Sequence, residues 1–308
     1  MIKAVIDIGT NTFHLLIAEI DTQGKIKVIH KNTIPVKLGE GGVNKGFISP
    51  QAYQRGLNAL IQFREELNTH HIKDVKATAT AAVRDAANGK EFVAEALAKA
   101  DIKISIIDGL KEAELIYLGA KAAEMLNQKT SLIMDIGGGS TEFIICNENE
   151  ILWKNSYRLG AARLLADFYH EDPISTQTIK AIHQHFSIQL PELFSKLKEH
   201  KVSTLIGTAG SFNTYAELIA INNHQVFDAN TMQRFNFNFD DFNDLLNQLI
   251  TSTHQQRANM KGLIPLRVDM ILMASILTEY VLKQSAIQEI TTCTYSLKEG
   301  LLISDWEL

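Results

Sequence analysis

Residues 131–145 read Ser-Leu-Ile-Met-Asp-Ile-Gly-Gly-Gly-Ser-Thr-Glu-Phe-Ile-Ile, and residues 4–12 read Ala-Val-Ile-Asp-Ile-Gly-Thr-Asn-Thr ahead of the apolar run from Phe13 to Ile20. Each stretch is an apolar strand, an Asp-Ile-Gly turn rich in Gly, Ser and Thr, and a second apolar strand. A third strand-like segment follows each, at 25–31 and at 151–157. The two aspartates, Asp7 and Asp135, stand 128 positions apart. That offset is too long for a solenoid period and suits a duplicated domain.

Working outward, each copy is followed by helices and strands in turn. After the first come a helix at 50–69, a strand at 74–80, a helix at 88–100, a strand at 103–107 and a helix at 111–126. Leu57, Leu60, Ile61, Phe63 and Leu67 keep helical spacing in the first of these. After the second come helices at 160–169 and 175–198, a strand at 202–206, a helix at 211–221 and a helix at 240–252 behind Asp240 as N-cap. The alternating run Phe235-Asn236-Phe237-Asn238-Phe239 reads as an extra strand whose aromatic stripe is packing. A long helix at 268–283, a strand at 287–292 and a last helix at 296–306 complete the chain. The order predicts two α/β domains, 1–126 and 127–308, with a cleft between them and the last helix (296–308) packing back on the first domain.

Composition narrows the class. The chain has 308 residues, roughly two domains at about 150 residues each. Lys plus Arg is 30 and Asp plus Glu is 35, giving a net charge of −5. Broad affinity for DNA or RNA needs a basic face, so no nucleic-acid partner is expected, while a local basic pocket stays open. Lys3 and Asp7 break what would have to be an apolar leader, and no run reaches the about 18 apolar residues of a membrane span. Cys146 and Cys293 make neither a disulfide framework nor a zinc site. His183 and His185, at i and i+2 of a helix, face apart and make no metal site. A soluble, reduced, cytoplasmic protein without a membrane partner is expected.

A strand that ends in Asp and turns through Gly or Thr has a definite chemistry. Glycine lets backbone N–H groups approach a ligand closely, and successive N–H groups make an anion-binding concavity. The Asp can hold Mg²⁺, directly or through water, beside the phosphate. A single such turn is equally a tight hairpin with a solvated Asp. Two copies facing each other would form a two-jawed phosphate clamp, from Asp7, Gly9, Thr10, Asn11 and Thr12 on one side and Asp135, Gly137, Gly138, Gly139, Ser140 and Thr141 on the other. A third element, Leu205-Ile206-Gly207-Thr208-Ala209-Gly210-Ser211, leads from a strand into a helix start. Gly207, Gly210 and Ser211 there either bind phosphate or simply make a βα turn.

The order of DIGTNT, DIGGGSTE and GTAGS resembles the actin-like ATPase superfamily, and within it the exopolyphosphatase and guanosine pentaphosphate phosphohydrolase (Ppx/GppA) family. Nearly the whole chain supports the resemblance: DIGTNTFHLL at 7–16, KLGEG at 37–41, ATATAAVRDAAN at 77–88, GLKEAELIYLG at 109–119, DIGGGSTE at 135–142, LGAARL at 159–164, Arg267 to Asp269 and LKEGLL at 297–302. Two positions depart from the family pattern. Glu112-Ala113-Glu114 stands for its E-A-R, and Leu297-Lys298-Glu299-Gly300 for its L-R-E-G, which gives up bidentate phosphate recognition. Both departures bear on substrate preference more than on the reaction. The chain also ends where longer members continue into further helical domains.

The resemblance implies two duplicated actin-like (ribonuclease H-like) domains and release of the terminal phosphate from inorganic polyphosphate or guanosine pentaphosphate, a substrate tied to the stringent response. It matches Glu112 to the family's catalytic Glu; the other reading of Glu112 is a first-turn acidic residue favoured by the helix dipole, which also accounts for Glu114. Hydrolysis needs a water in line, charge neutralisation and a group to orient or deprotonate the water. Asp135 and Glu142 join Glu112 as catalytic candidates, and Asp7, Asp135 and Glu142 as metal ligands. So many carboxylates around one polyanion repel it unless Mg²⁺, or another divalent cation, and basic residues intervene. The candidates are Arg84, Arg163, Arg267 and Lys298, with His14 either reaching the substrate or filling the strand. The partner is a polyanionic phosphate substrate, and a homodimer is left open. Two other functions fit the same turns: a small-molecule kinase of the superfamily, and a non-catalytic actin-like nucleotide-binding protein. Kinases of this size often add a Cys-rich zinc motif, which two lone cysteines exclude.

Overall fold

The computed structural model describes residues 1–22 and 24–305. The chain divides into two compact units, one formed by Met1–Ala122 with the C-terminal segment from Ser296, the other by Ala123–Tyr295.

The first unit opens with β1 (Ile2–Ile8), β2 (Phe13–Ile20) and β3 (Ile26–Ile34), then α1 (Pro50–Thr69), β4 (Lys76–Ala79), α2 (Ala81–Arg84), α3 (Gly89–Ala100), β5 (Ile104–Ile106) and α4 (Gly109–Ala122). Its sheet runs β3-β2-β1-β4-β5. β1, β2 and β3 pair antiparallel, whereas β4 and β5 continue parallel to β1. The core fills with Ile6, Ile8, Phe13, Leu15 and Ile17 of the strands against Leu57, Leu60, Phe63 and Leu67 of α1. The α1 residues are those that helical spacing placed on one face.

The second unit repeats the plan. β6 (Ser131–Ile136), β7 (Thr141–Cys146) and β8 (Ile151–Tyr157) precede α5 (Ala161–Phe168), α6 (Thr176–Gln189), α7 (Pro191–Glu199), β9 (Thr204–Thr208) and α8 (Ala209–Asn222). β10 (Arg234–Phe237), α9 (Phe239–Thr251), α10 (His254–Ala258), α11 (Met270–Lys283) and β11 (Glu289–Cys293) follow. Its sheet runs β10-β11-β9-β6-β7-β8, so β11-β9-β6-β7-β8 reproduces β5-β4-β1-β2-β3 with β10 added at one edge. Every residue of β6 and β7 is buried, which explains the apolar runs Leu132–Met134 and Phe143–Ile145 and leaves Asp135 and Glu142 as buried carboxylates. α12 (Leu297–Ile303) belongs to the first unit. There it crosses α4 so closely that a Cβ on Gly300 would lie 1.7 Å from the Leu115 carbonyl oxygen, and one on Gly119 2.2 Å from that of Ser296.

Several element boundaries differ from the sequence reading. The helix expected over 175–198 breaks at Leu190, because Pro191 starts a new helix where its missing N–H costs nothing. Asn238, not Asp240, caps α9: its side chain accepts from the N–H groups of Asp240 and Asp241. The aromatic run therefore pairs as a strand only over Arg234–Phe237. The last helix stops at Ile303, where Ser304 turns to extended backbone, short of the expected 306; residues 306–308 fall outside the described residues. The short α2 and α10 and a 3₁₀ turn at Pro265–Arg267 had too few residues to show a period. Among the described residues no helix is long and apolar enough to cross a membrane.

Candidate functional site

In the second unit Asp135 ends β6, and its register partners line up across the sheet. Thr208 of β9 lies beside it, Glu142 of β7 opposite it, and Ser156 of β8 opposite Glu142. Directly paired residues share one face of a sheet, so the four side chains form a lateral row. Hydrogen bonds tie its two ends: Thr208 Oγ1 donates to Asp135 Oδ2 at 2.6 Å, and Ser156 Oγ to Glu142 Oε1 at 2.7 Å. Asp135, Glu142 and Thr208 are all buried. The seven-residue spacing from Asp135 to Glu142 thus spans a hairpin and brings both carboxylates side by side.

The first unit has the same row with different chemistry. Asp7 ends β1, Thr78 of β4 lies beside it, His14 of β2 opposite it, and Thr33 of β3 opposite His14. His14 stands where the other row has Glu142. Its ring nitrogens share hydrogen bonds with Thr12 Oγ1 at 2.8 Å and Thr33 Oγ1 at 2.9 Å. Among the described residues neither the Thr10 nor the Thr78 hydroxyl has a hydrogen-bond partner, although both residues are buried.

The turns after the two aspartates close identically, with Gly9 N–H donating to Thr12 O at 3.1 Å and Gly137 N–H to Ser140 O at 3.0 Å. Each is pinned from outside by a segment that the sequence singled out for its resemblance alone. In the KLGEG stretch, Lys37 N–H donates to Asn11 O and Gly39 N–H to Thr10 O. Arg55 in turn holds that stretch through the carbonyls of Val36 and Lys37 and the Glu40 carboxylate. In the LGAARL stretch, the first N–H groups of α5 donate to the carbonyls of Gly137 and Gly138. Buried Arg163 adds a bond from Nε to Gly139 O at 3.0 Å. Arg163, a candidate substrate cation in the sequence, directs its guanidinium at the Gly139 carbonyl and braces the turn. Gly160 is needed there because a Cβ would sit 2.4 Å from the Gly138 backbone.

The carboxyl ends of the parallel strands gather the remaining candidates within each unit. Arg84 closes the helix after β4, and Glu112 lies in the first turn of the helix after β5. Arg84 Nη1 donates to Glu112 Oε2 at 3.2 Å and to Ile107 O at 3.0 Å. Glu112 is therefore buried and aimed by an ion pair, whereas Glu114 is half-exposed and pairs with Lys111 at 3.3 Å. Lys298 sits in the first turn of α12, 3.1 Å from Glu299, whose carboxylate also accepts from the Ser296 N–H as a helix cap.

In the second unit Gly207 and Thr208 end β9, while Gly210 and Ser211 lie in the first turn of α8. The Arg267 guanidinium lies over that turn: a Cβ on Gly210 would be 2.9 Å from Nη2, and Nη1 donates to Thr214 Oγ1 at 2.6 Å. Burial pulls this guanidinium below its usual pKa, with Glu217 acting in the opposite sense. Asp135, Glu142, Thr208, Gly210 and Arg267 thus form one neighbourhood, linked through Thr208 and the turn that follows it. Thr78, Thr208 and Arg55 went unnoticed in the sequence. The signal available for the threonines was a Thr at the end of the parallel neighbour strand in both Ala77-Thr78-Ala79 and Gly207-Thr208-Ala209.

Among the described residues no three His, Cys, Asp or Glu side chains are grouped to enclose a metal. The donors present are carboxylate and hydroxyl oxygens, with the buried Thr10 and Thr78 hydroxyls unsatisfied beside the first aspartate turn. This oxygen set fits Mg²⁺, which keeps several waters and takes one or two carboxylates together with substrate phosphate.

A sequence profile for the Ppx/GppA phosphatase family matches residues 16–308. Exopolyphosphatase 2 of Mycobacterium tuberculosis is 29% identical over 313 residues, covering 98% of this chain and 97% of that protein. A crystal structure described as an exopolyphosphatase from Cytophaga hutchinsonii superposes with a TM-score of 0.94 at 39% identity, over 98% of this chain and 96% of that one. The Aquifex aeolicus member of the Ppx/GppA family, at 22% identity, shares the fold with a TM-score of 0.81 over 99% of this chain and 97% of its own. The chain thus has the two-domain α/β fold that its duplicated motif suggested, in the actin-like form that the resemblance implied.

Proposed function

This chain belongs to the Ppx/GppA phosphatase family, and on that premise we propose that it removes the terminal phosphate from inorganic polyphosphate or guanosine pentaphosphate with water that Glu112 activates. It is a phosphoanhydride hydrolase of the exopolyphosphatase type. The observation that supports the finer reading is the repeated row, an aspartate at a parallel strand's end followed by a hairpin turn that a separate segment braces.

In this reading the backbone N–H groups of Gly9–Thr12 and Gly137–Thr141 bind the oxygens of the scissile phosphate. Of Asp7, Asp135 and Glu142, one or two would hold Mg²⁺ together with water and substrate phosphate, and the cation when bound would neutralise the phosphate charge. Glu112, aimed by Arg84, accepts a proton as the water oxygen bonds to the terminal phosphorus. The bridging P–O bond breaks, and its electron pair leaves with the shortened chain. Arg267, Lys298 and His14 contact phosphate units beyond the reacting one and set preference among substrates. Guanosine pentaphosphate as substrate would place the enzyme in the stringent response, in the cytoplasm.

Phosphate release from polyphosphates of several lengths, guanosine pentaphosphate and ATP, each with and without Mg²⁺, tests this proposal. Release from at least one of the first two is expected, with a strict cation requirement. Phosphate transfer from ATP to a small-molecule acceptor, with no hydrolysis of either, would identify a kinase instead.

A further inference from the structure

The two strand-end aspartates have neighbours of the same kind in different states. Thr208 lies in register beside Asp135 and donates to it at 2.6 Å. Thr78 lies in register beside Asp7 in the same way, fully buried, yet its hydroxyl has no partner. An unsatisfied buried hydroxyl costs about 1–3 kcal/mol, and valine would fill the same volume without that cost. Asp7 itself has interactions elsewhere, none of them with the Thr78 hydroxyl.

We propose that Thr78 is a positioning residue for Asp7, holding its carboxylate in the substrate-engaged enzyme as Thr208 holds Asp135. The inference rests on the reading of Asp7 as a ligand of cation and phosphate. Engaging a substrate turns the Asp7 carboxylate toward β4, where Thr78 Oγ1 donates to it. The second unit has the equivalent bond already made, so Thr208 works as a fixed support and Thr78 as one that closes on demand. The two threonines consequently respond to the same substitution in opposite directions.

Thr78→Val, Thr78→Ser and Thr208→Val are compared in three measurements on the full chain: thermal unfolding without ligand, Mn²⁺ binding by electron paramagnetic resonance in the presence of orthophosphate, and kcat and KM on polyphosphate. Thr78→Val should unfold at the wild-type temperature or above it, yet bind Mn²⁺ about ten- to a hundredfold more weakly, the worth of one hydrogen bond to a charged group. Thr78→Ser should recover that binding. Thr208→Val should unfold below wild type, since it removes the hydrogen bond that Thr208 donates to Asp135. The proposal is overturned if Thr78→Val binds Mn²⁺ as wild type does, which would make the hydroxyl a mere packing cost. It is equally overturned if Thr78→Val unfolds early and Thr78→Ser restores stability, because the hydroxyl would then be satisfied without substrate. Failure of the wild type itself to bind Mn²⁺ would instead remove the functional reading, and the Thr78 assignment with it.

Discussion

Gly160→Ala probes how finely the second phosphate turn must be placed. Gly160 precedes α5 with φ −68° and ψ 149°, a conformation alanine adopts without strain, so the effect is purely steric. The added Cβ would meet the Gly138 carbonyl carbon and oxygen at 2.4 Å and the Gly139 carbonyl carbon at 2.5 Å. Carbon atoms in contact settle about 3.5 Å apart, so the turn or the start of α5 must yield by about 1 Å. No flexible side chain can absorb the shift, because every atom met is backbone. The same two carbonyl groups accept the bonds from the Ala162 and Arg163 N–H groups, at Gly138, and from Arg163 Nε, at Gly139, that brace the turn. A displacement of about 1 Å at a reacting group typically costs about a hundredfold in rate, and that loss in kcat is expected, in a protein that still unfolds cooperatively. Gly39→Ala is the matched comparison. Its Cβ would meet the Thr10 methyl at 2.5 Å and Val43 Cβ at 3.2 Å, side-chain atoms only, so the turn's backbone is not met directly and the loss should be smaller. Steady-state phosphate release, with thermal unfolding as the control for folding, gives both numbers. A folded Gly160→Ala enzyme with kcat within about twofold of wild type would refute the reasoning, since the turn would then tolerate a shift far above what positioning allows.

Glu112→Gln should lower kcat by about two to four powers of ten, the usual worth of a positioned general base, while substrate still binds; Glu114→Gln should change little. Equal losses in the two variants, measured by phosphate release, would contradict the assignment of the base. Away from the turns, burial alone would raise the Glu66 pKa, but hydrogen bonds from His30, Asn32 and Gln62 bring it below the usual carboxylate value. A carboxyl lowered in the folded state stabilises above its unfolded pKa of about 4.3 and loses that contribution as pH falls through the folded value. Glu66→Gln should therefore cost about 1–3 kcal/mol at pH 7 and progressively less below pH about 4. Urea unfolding at both pH values checks this, and a cost that does not shrink in acid would contradict it.

The fold was legible because its decisive signals are local. Two Asp-Ile-Gly strands with apolar partners, each followed by helices of clear period, announce a duplicated α/β chain without any knowledge of tertiary contacts. Asp135 and Glu142 could be linked in the same way, since a hairpin fixes the register of its two strands from within the sequence. Thr78 and Thr208 could not. Their place beside Asp7 and Asp135 depends on parallel pairing between strands separated by helices, and no sequence spacing sets that register. Arg163 reads as an ordinary helical arginine until its guanidinium is seen on the Gly139 carbonyl. Arg84 drew notice as a cation for the substrate, and only the fold shows its charge turned toward Glu112. Asp240 reads as the cap because Asn238 lies inside an alternating aromatic run that reads as strand, yet it is the Asn238 side chain that accepts the helix N–H groups.

Hydrolysis of inorganic polyphosphate in ¹⁸O-labelled water, with Mg²⁺ present, tests the central claim that water attacks the terminal phosphorus. The account predicts orthophosphate released one unit at a time, each molecule carrying one oxygen from solvent, and no release once the cation is chelated. Orthophosphate without solvent oxygen, label found in the shortened chain, or undiminished release in excess chelator would contradict it.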